Sequence, residues 1–162
     1  MKSEVYKPPF KVPHNNCPKV FLGGSIEQGK AANWQDEIVK SFPFNVNFLN
    51  PRRDSWDDTW VQDINNPNFF EQVTWELDML DMADIIVMYF DPSTLSPISL
   101  LELGLYCSAV DYRYCSNKLK MLVCCPEGFW RKGNVDIVCQ RYGVPMFNNM
   151  ETLIVSLKSK IG

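Results

Sequence analysis

The stretch DIIVMYFDPSTLSPISLLELG, Asp84 to Gly104, decides the fold. It opens with a short apolar run, Ile85 to Phe90, rich in β-branched and aromatic residues. A run so short and so continuous reads as a strand buried on both faces, as in a parallel sheet. It stops at Asp91-Pro92 and crosses a small polar loop, Ser93 to Pro97. A helix follows, with Ser96 as its expected N-cap and Pro97 in its first turn. Glu102 is the only charged residue between Asp91 and Asp111, and four leucines surround it: Leu100, Leu101, Leu103 and Leu105. It is either an exposed acid on an amphipathic helix or a functional acid held in a cleft. Its position favours the second, because ligands of open parallel sheets bind beyond the carboxyl ends of the strands.

The chain has 162 residues, enough for one domain with its own core. Hydrophobic residues make up 46% and charged residues 22%, an ordinary globular balance. A net charge of −3 gives no electrostatic case for a nucleic-acid polymer or an anionic membrane. No apolar run approaches the ~20 residues of a spanning helix, and the first residues, MKSEVYKPPFKVPHNNCP, lack a signal-peptide core. The six cysteines have no metal-ligand spacing, and His14 is the one histidine. Reduced thiols in a cytoplasmic protein without metal or cofactor are the expectation.

Outward from the central stretch, strands and helices alternate. Residues 1–18, with four prolines, read as an irregular arm before a domain spanning 19–162. Lys19 to Leu22 is a first strand, ended by Gly23-Gly24-Ser25, and a helix runs from about Lys30 to Ser41. Asn45 to Leu49 is a second strand, followed by Asn50-Pro51-Arg52-Arg53-Asp54. Residues 54–68 read as a long active-site loop. A helix over 69–82 turns Val73, Leu77 and Leu80 inward. After the central strand and its helix, at 97 to about 110, come a strand at 118–125, a helix at 134–142, a strand at 144–147 and a helix at 151–160. No hairpin signal interrupts the alternation. The expected fold is α/β: a doubly wound, five-stranded parallel sheet of order 2-1-3-4-5 with helices on both faces. Its switch point sets Gly23, Gly24 and Ser25 opposite the segment from Asp91 to Glu102.

Gly24 to Ala31 nearly spells the phosphate loop of nucleoside triphosphatases and lies between a strand and a helix. Ala31, however, replaces the hydroxyl residue that would hold Mg²⁺, and Glu27 sets a carboxylate beside the cradle. The glycines fit either a tight turn or a close backbone approach to a sugar or base. Several acids can reach the same edge: Glu102, and Glu76 or Asp78 from the preceding helix. Asp81 reads as solvent-facing. Arg53 and Asp54 end the second strand, where they pair with each other or face the cleft. Two carboxyl groups without a histidine suit chemistry at a sugar anomeric carbon, one attacking and the other helping the leaving group. Trp56, Trp60, Phe129 and Trp130 could stack on a base or belong to the core.

These residues resemble the nucleoside 2-deoxyribosyltransferase-like family. The resemblance runs from Lys19 to Leu157 and is carried by four strings in order: NPRRD (50–54), WELD (75–78), YFDPSTLSPISLLELG (89–104) and CCPEGFWRKGNV (124–135). It implies cleavage of the N-glycosidic bond of a (deoxy)nucleoside or its monophosphate, with transfer of the sugar to another nucleobase or to water. A nucleotide-binding module without catalysis is the other reading. The nucleophile's role falls on Glu102. The acid assisting the base falls on Glu76, where the family has aspartate, with Asp78 as the fallback. Gly23, Gly24, Ser25, Arg53, Asp54, Asp91 and Ser96 fall in the substrate-binding part. Ser96 stands where many transferases have a sugar-binding aspartate, and where the related monophosphate N-glycosidases have a phosphate-binding serine. Asn134, with Trp130 beside it, falls where the family completes a neighbouring subunit's site, which implies a homo-oligomer; the other reading of Asn134 is a cap for the helix that follows it.

Overall fold

The computed structural model describes residues 2–26, 31–43, 45–54, 59–108 and 121–162. Among the described residues there are six strands: β1 (Glu4–Tyr6), β2 (Lys19–Gly24), β3 (Asn47–Leu49), β4 (Ile85–Tyr89), β5 (Met121–Cys124) and β6 (Met146–Phe147). Five helices join them: α1 (Trp34–Ser41), α2 (Pro67–Met82), α3 (Pro97–Tyr106), α4 (Lys132–Tyr142) and α5 (Met150–Ile161). All pairings are parallel, in the order β1-β3-β2-β4-β5-β6. The expected order 2-1-3-4-5 is therefore embedded in a six-stranded sheet. The correction is β1, which lies in the segment read as an irregular arm. Its residues Glu4, Val5 and Tyr6 pair with Asn47, Phe48 and Leu49.

Period-two alternation divides the sheet's side chains between two cores. Phe21, Ile86, Met88, Phe90, Met121 and Val123 face one layer, packed by Trp75, Met79 and Leu80 of α2, Leu103 of α3, and Val135 and Cys139 of α4. Val20, Leu22, Val87, Leu122 and Cys124 face the other, packed by Trp34 and Ile38 of α1 and by Leu153 and Leu157 of α5. Each such side chain contributes roughly 1.5–3 kcal/mol by leaving water. Helices α2 and α3 thus share one face of the sheet and flank its central strand.

The glycines at the end of β2 answer to a close approach. A Cβ on Gly23 would lie 2.6 Å from Met88 Sδ, and one on Gly24 2.2 Å from the Tyr89 carbonyl oxygen. Gly24 also has φ +133°, a conformation that side chains rarely tolerate. Residues 27–30 of the near phosphate-loop string, Lys30 included, lie outside the described residues, as do the start expected for α1 and Trp56 of the 54–68 loop. Asp84, just before β4 at the opposite end from the site, ties β2 in: its Oδ2 accepts from the Lys19 amide at 2.8 Å.

Candidate active site

Helix α2 begins cleanly. Asn66 caps it, its side chain accepting from the Asn68 and Phe69 amides, and Pro67 fills the first position. The face it buries differs from the expected one. Gln72, Trp75, Met79 and Leu80 turn inward, while Leu77 is exposed. The stripe is rotated so that Gln72 and Glu76, one turn apart, run along the edge facing α3.

Glu102 lies on α3 and is 8% exposed. Burial first, and the charge of Glu76 second, push its carboxyl up to about 8. Glu76 is pushed up to about 7 by burial, against the pull of a hydrogen bond from Gln72 and of the Arg53 charge. Two carboxyl groups, one buried and one half-buried, that feel one another near neutral pH can divide the roles, one acting as base or nucleophile while the other is an acid. Asp78 and Asp81 lie on the exposed side of α2, and Asp81 accepts from the Tyr106 hydroxyl at 2.6 Å. The fallback acid therefore points away from this pair.

Gln72, which sequence reasoning missed, holds the acid. Its Nε2 donates to Glu76 Oε1 at 2.7 Å and to the Pro51 carbonyl at 3.1 Å. Its Oε1 accepts from Arg53 Nε. Arg53 also reaches Glu71 at 3.3 Å, and its guanidinium lies 5.1 Å from the Trp60 ring centre. The pairing of Arg53 with Asp54 is not made. Asp54 is exposed and pairs with Lys7 of the N-terminal segment. Helical i,i+4 spacing from Gln72 to Glu76 was the available signal for this contact.

A second polar group sits where β2 and β4 diverge. Ser25 Oγ lies 2.5 Å from Ser96 Oγ, and Thr94 Oγ1 is 2.8 Å from each of them. Ser25 Oγ also accepts from the Asp91 amide at 2.8 Å, and its carbonyl accepts from Trp34 Nε1 at 3.0 Å. Asp91 is buried, and its Oδ1 accepts from the Ser93 amide and hydroxyl at 2.8 and 2.6 Å. Ser96 occupies the N-cap position of α3 with φ 48° and ψ 50°, but its side chain makes no capping bond. The hydroxyl expected to cap the helix belongs instead to this cluster. Thr94 is the second residue missed; nothing in its spacing marked it.

Trp130 and Asn134 belong to a third place. Trp130 is half exposed, donates from Nε1 to the Leu95 carbonyl at 2.9 Å, and carries Arg131 4.3 Å from its ring centre. Asn134 is the third residue of α4, not its cap. With Leu100, Leu103, Gly104, Arg131, Val135 and Val138 it lines a cleft of about 300 Å³ between α3 and α4. Phe129, considered for base stacking, is a core residue, 3% exposed and packed on Phe90 with ring centres 5.0 Å apart. No helix among the described residues is long and apolar enough to cross a membrane.

A family model described as "Nucleoside 2-deoxyribosyltransferase like" matches residues 17–129, well over half of the chain. No curated protein matches the chain significantly.

Proposed function

Because the chain belongs to the nucleoside 2-deoxyribosyltransferase-like family, we propose that it transfers the sugar of a (deoxy)nucleoside or its monophosphate to another nucleobase through a covalent intermediate on Glu102. The observation carrying this reading is the pair of buried Glu102 and half-buried Glu76, whose carboxyls are both pushed up toward neutral pH, on two helices that pack on the same face of the sheet.

In the first half-reaction the Glu102 carboxylate attacks C1′. The bond from C1′ to the base nitrogen breaks as the bond from C1′ to Glu102 oxygen forms. Protonated Glu76 gives its proton to the departing base, which would otherwise leave as an anion. In the second half-reaction a nitrogen of the incoming base attacks C1′, Glu102 departs as a carboxylate, and the incoming base's proton passes to Glu76. Water taking the base's place turns transfer into hydrolysis. Gly23 and Gly24 let β2 approach β4 closely, which seats Ser25 at the sugar's end of the crevice. The Ser25–Thr94–Ser96 hydroxyls with Asp91 shape the sugar's end of the crevice, and Arg53 borders the acid.

A second copy of the chain is part of this reading. The outer face of α3 leaves Ile98, Leu101 and Leu105 exposed at helical spacing, beside the cleft that carries Asn134. A partner subunit covering this face would shield those side chains, with Trp130 and Asn134 at the shared boundary.

The test is incubation with a panel of deoxynucleosides and their monophosphates, with and without a second free base, followed by chromatography. Exchanged nucleoside supports transfer, and released base alone assigns hydrolysis. Neither product, or full turnover by Glu102→Ala, removes the proposed chemistry.

A further inference from the structure

We propose that Gln72 is the positioning residue of the site: its side-chain amide fixes which oxygen of Glu76 carries the acid's proton. The inference rests on the acid role given to Glu76 above, but the geometry behind it does not depend on any substrate.

Gln72 is 3% exposed, one helical turn before Glu76. Three contacts use both ends of its amide: Nε2 to the Pro51 carbonyl, Nε2 to Glu76 Oε1, and Oε1 from Arg53 Nε. A guanidinium can only donate and a peptide carbonyl can only accept. Turning the amide over would set NH₂ against the guanidinium and oxygen against the carbonyl. The amide therefore has one orientation, and an N–H always faces Glu76.

That fixed donor constrains the acid. An oxygen receiving an N–H along its lone pair cannot carry a proton of its own in the same direction. When Glu76 is neutral, its proton is therefore favoured on Oε2, because an unprotonated Oε1 is the stronger acceptor for that N–H. A carboxyl group without this clamp would divide its proton between two oxygens and two rotamers, and only one arrangement faces a leaving base. The clamp also joins the acid to the segment after β3, since Pro51 and Arg53 hold the other corners of the amide. The charged groups around Glu76 are Arg53 from that segment and Glu102 from α3, with Glu71 of α2 bonded to Arg53 on its outer side.

The first experiment uses the wild-type chain. Side-chain amide NMR signals of Gln72 should titrate together with the Glu76 carboxyl carbon, read in protein carrying labelled glutamate and assigned with Glu76→Gln. A Gln72 amide that ignores this titration overturns the proposal. The second uses Gln72→Met, which keeps the volume and removes every polar contact, and Gln72→Glu, which keeps Arg53 but faces Glu76 with an acceptor. In Gln72→Met the Glu76 midpoint should rise by about one pH unit. Its kcat should fall about tenfold for bases that leave poorly, with KM little changed. In Gln72→Glu the midpoint should rise further. An unmoved midpoint in a folded variant refutes the clamp. A midpoint that moves in a protein releasing no base from any substrate keeps the clamp and removes the acid role instead.

Discussion

Replacing Glu76 by glutamine takes one negative charge out of a buried pair while keeping the side chain's size. Glu102 is held at about 8 by burial first and by Glu76's charge second. Neutralising Glu76 should therefore lower the Glu102 midpoint from its value beside an ionised Glu76. The sign follows from the charge. An anion beside Glu102 favours its protonated form, so its removal lets Glu102 ionise at lower pH.

The pH dependence of kcat/KM reads this in the free enzyme. In the proposed mechanism the productive form has Glu102 ionised and Glu76 protonated, the minor of the two one-proton forms because Glu102 is held higher. The wild-type rate should rise as the pair loses its first proton and fall as it loses the second, a narrow bell between about 7 and 8. In Glu76→Gln nothing is left to titrate on the alkaline side, so the bell becomes a single rising limb. That limb should lie at or above the wild-type rising limb and below about 8, because Glu76 is already uncharged when the pair loses its first proton. The rate should fall by about 10²–10⁴ for bases that need protonation and far less for a base that leaves readily as an anion. Initial rates of base release across the neutral range, with one base of each kind, provide the assay. An alkaline limb that persists, or a rising limb that moves below the wild-type one, refutes the division of roles between the two carboxyls.

Three further outcomes are expected. Glu102's pKa is raised in the folded chain, so the folded state keeps its proton longer than the unfolded one; the stability this brings is complete below about 4.5 and is lost as pH rises through about 8. Glu102→Gln should therefore melt higher than wild type above that range, by an amount on the order of 3 kcal/mol, and equally at acid pH; a wild-type melting temperature that climbs with alkaline pH would contradict the buried acid. Gly24→Ala brings a Cβ to 2.2 Å from the Tyr89 oxygen at φ +133° and should cost about 3 kcal/mol or more in denaturant unfolding; a neutral effect would show that β2 and β4 do not approach so closely. Leu101→Asp, on the exposed face of α3, should yield a folded monomer by ultracentrifugation with activity largely lost, whereas a fully active wild-type monomer would remove the shared boundary.

What could and could not be read from the chain follows one physical line. β2, β3, β4 and β5 are short apolar runs, and burial on both faces writes them plainly into the sequence. β1 is not written there. Its three residues, Glu4, Val5 and Tyr6, are largely exposed, and the strand exists because β3 offers it a free edge of backbone groups. Ser96 shows the same limit at the site. Its position before Pro97 signals a helix start, but only the tertiary fold brings Ser25 near enough to claim the hydroxyl.

Helix α2 is the instructive failure. Reading hydrophobicity alone turned Val73 and Leu77 inward, because polar residues are assumed to face water. The helix instead buries Gln72, leaves Glu76 half-buried, and exposes Leu77. Burying a glutamine costs free energy unless its amide is satisfied, and burying a carboxyl costs more unless it stays neutral. The Gln72 amide is satisfied at both ends, and Glu76 is driven toward the neutral form. A chain selected only for packing would have set a leucine at either position. The local pattern and the fold disagree along the edge of α2 that faces Glu102, and such disagreement is expected where a site draws on stability for chemistry. The rotated stripe and the raised carboxyls are thus two readings of one arrangement. A variant that restores the simple pattern, with apolar residues at 72 and 76, should be the more stable protein and the inactive one.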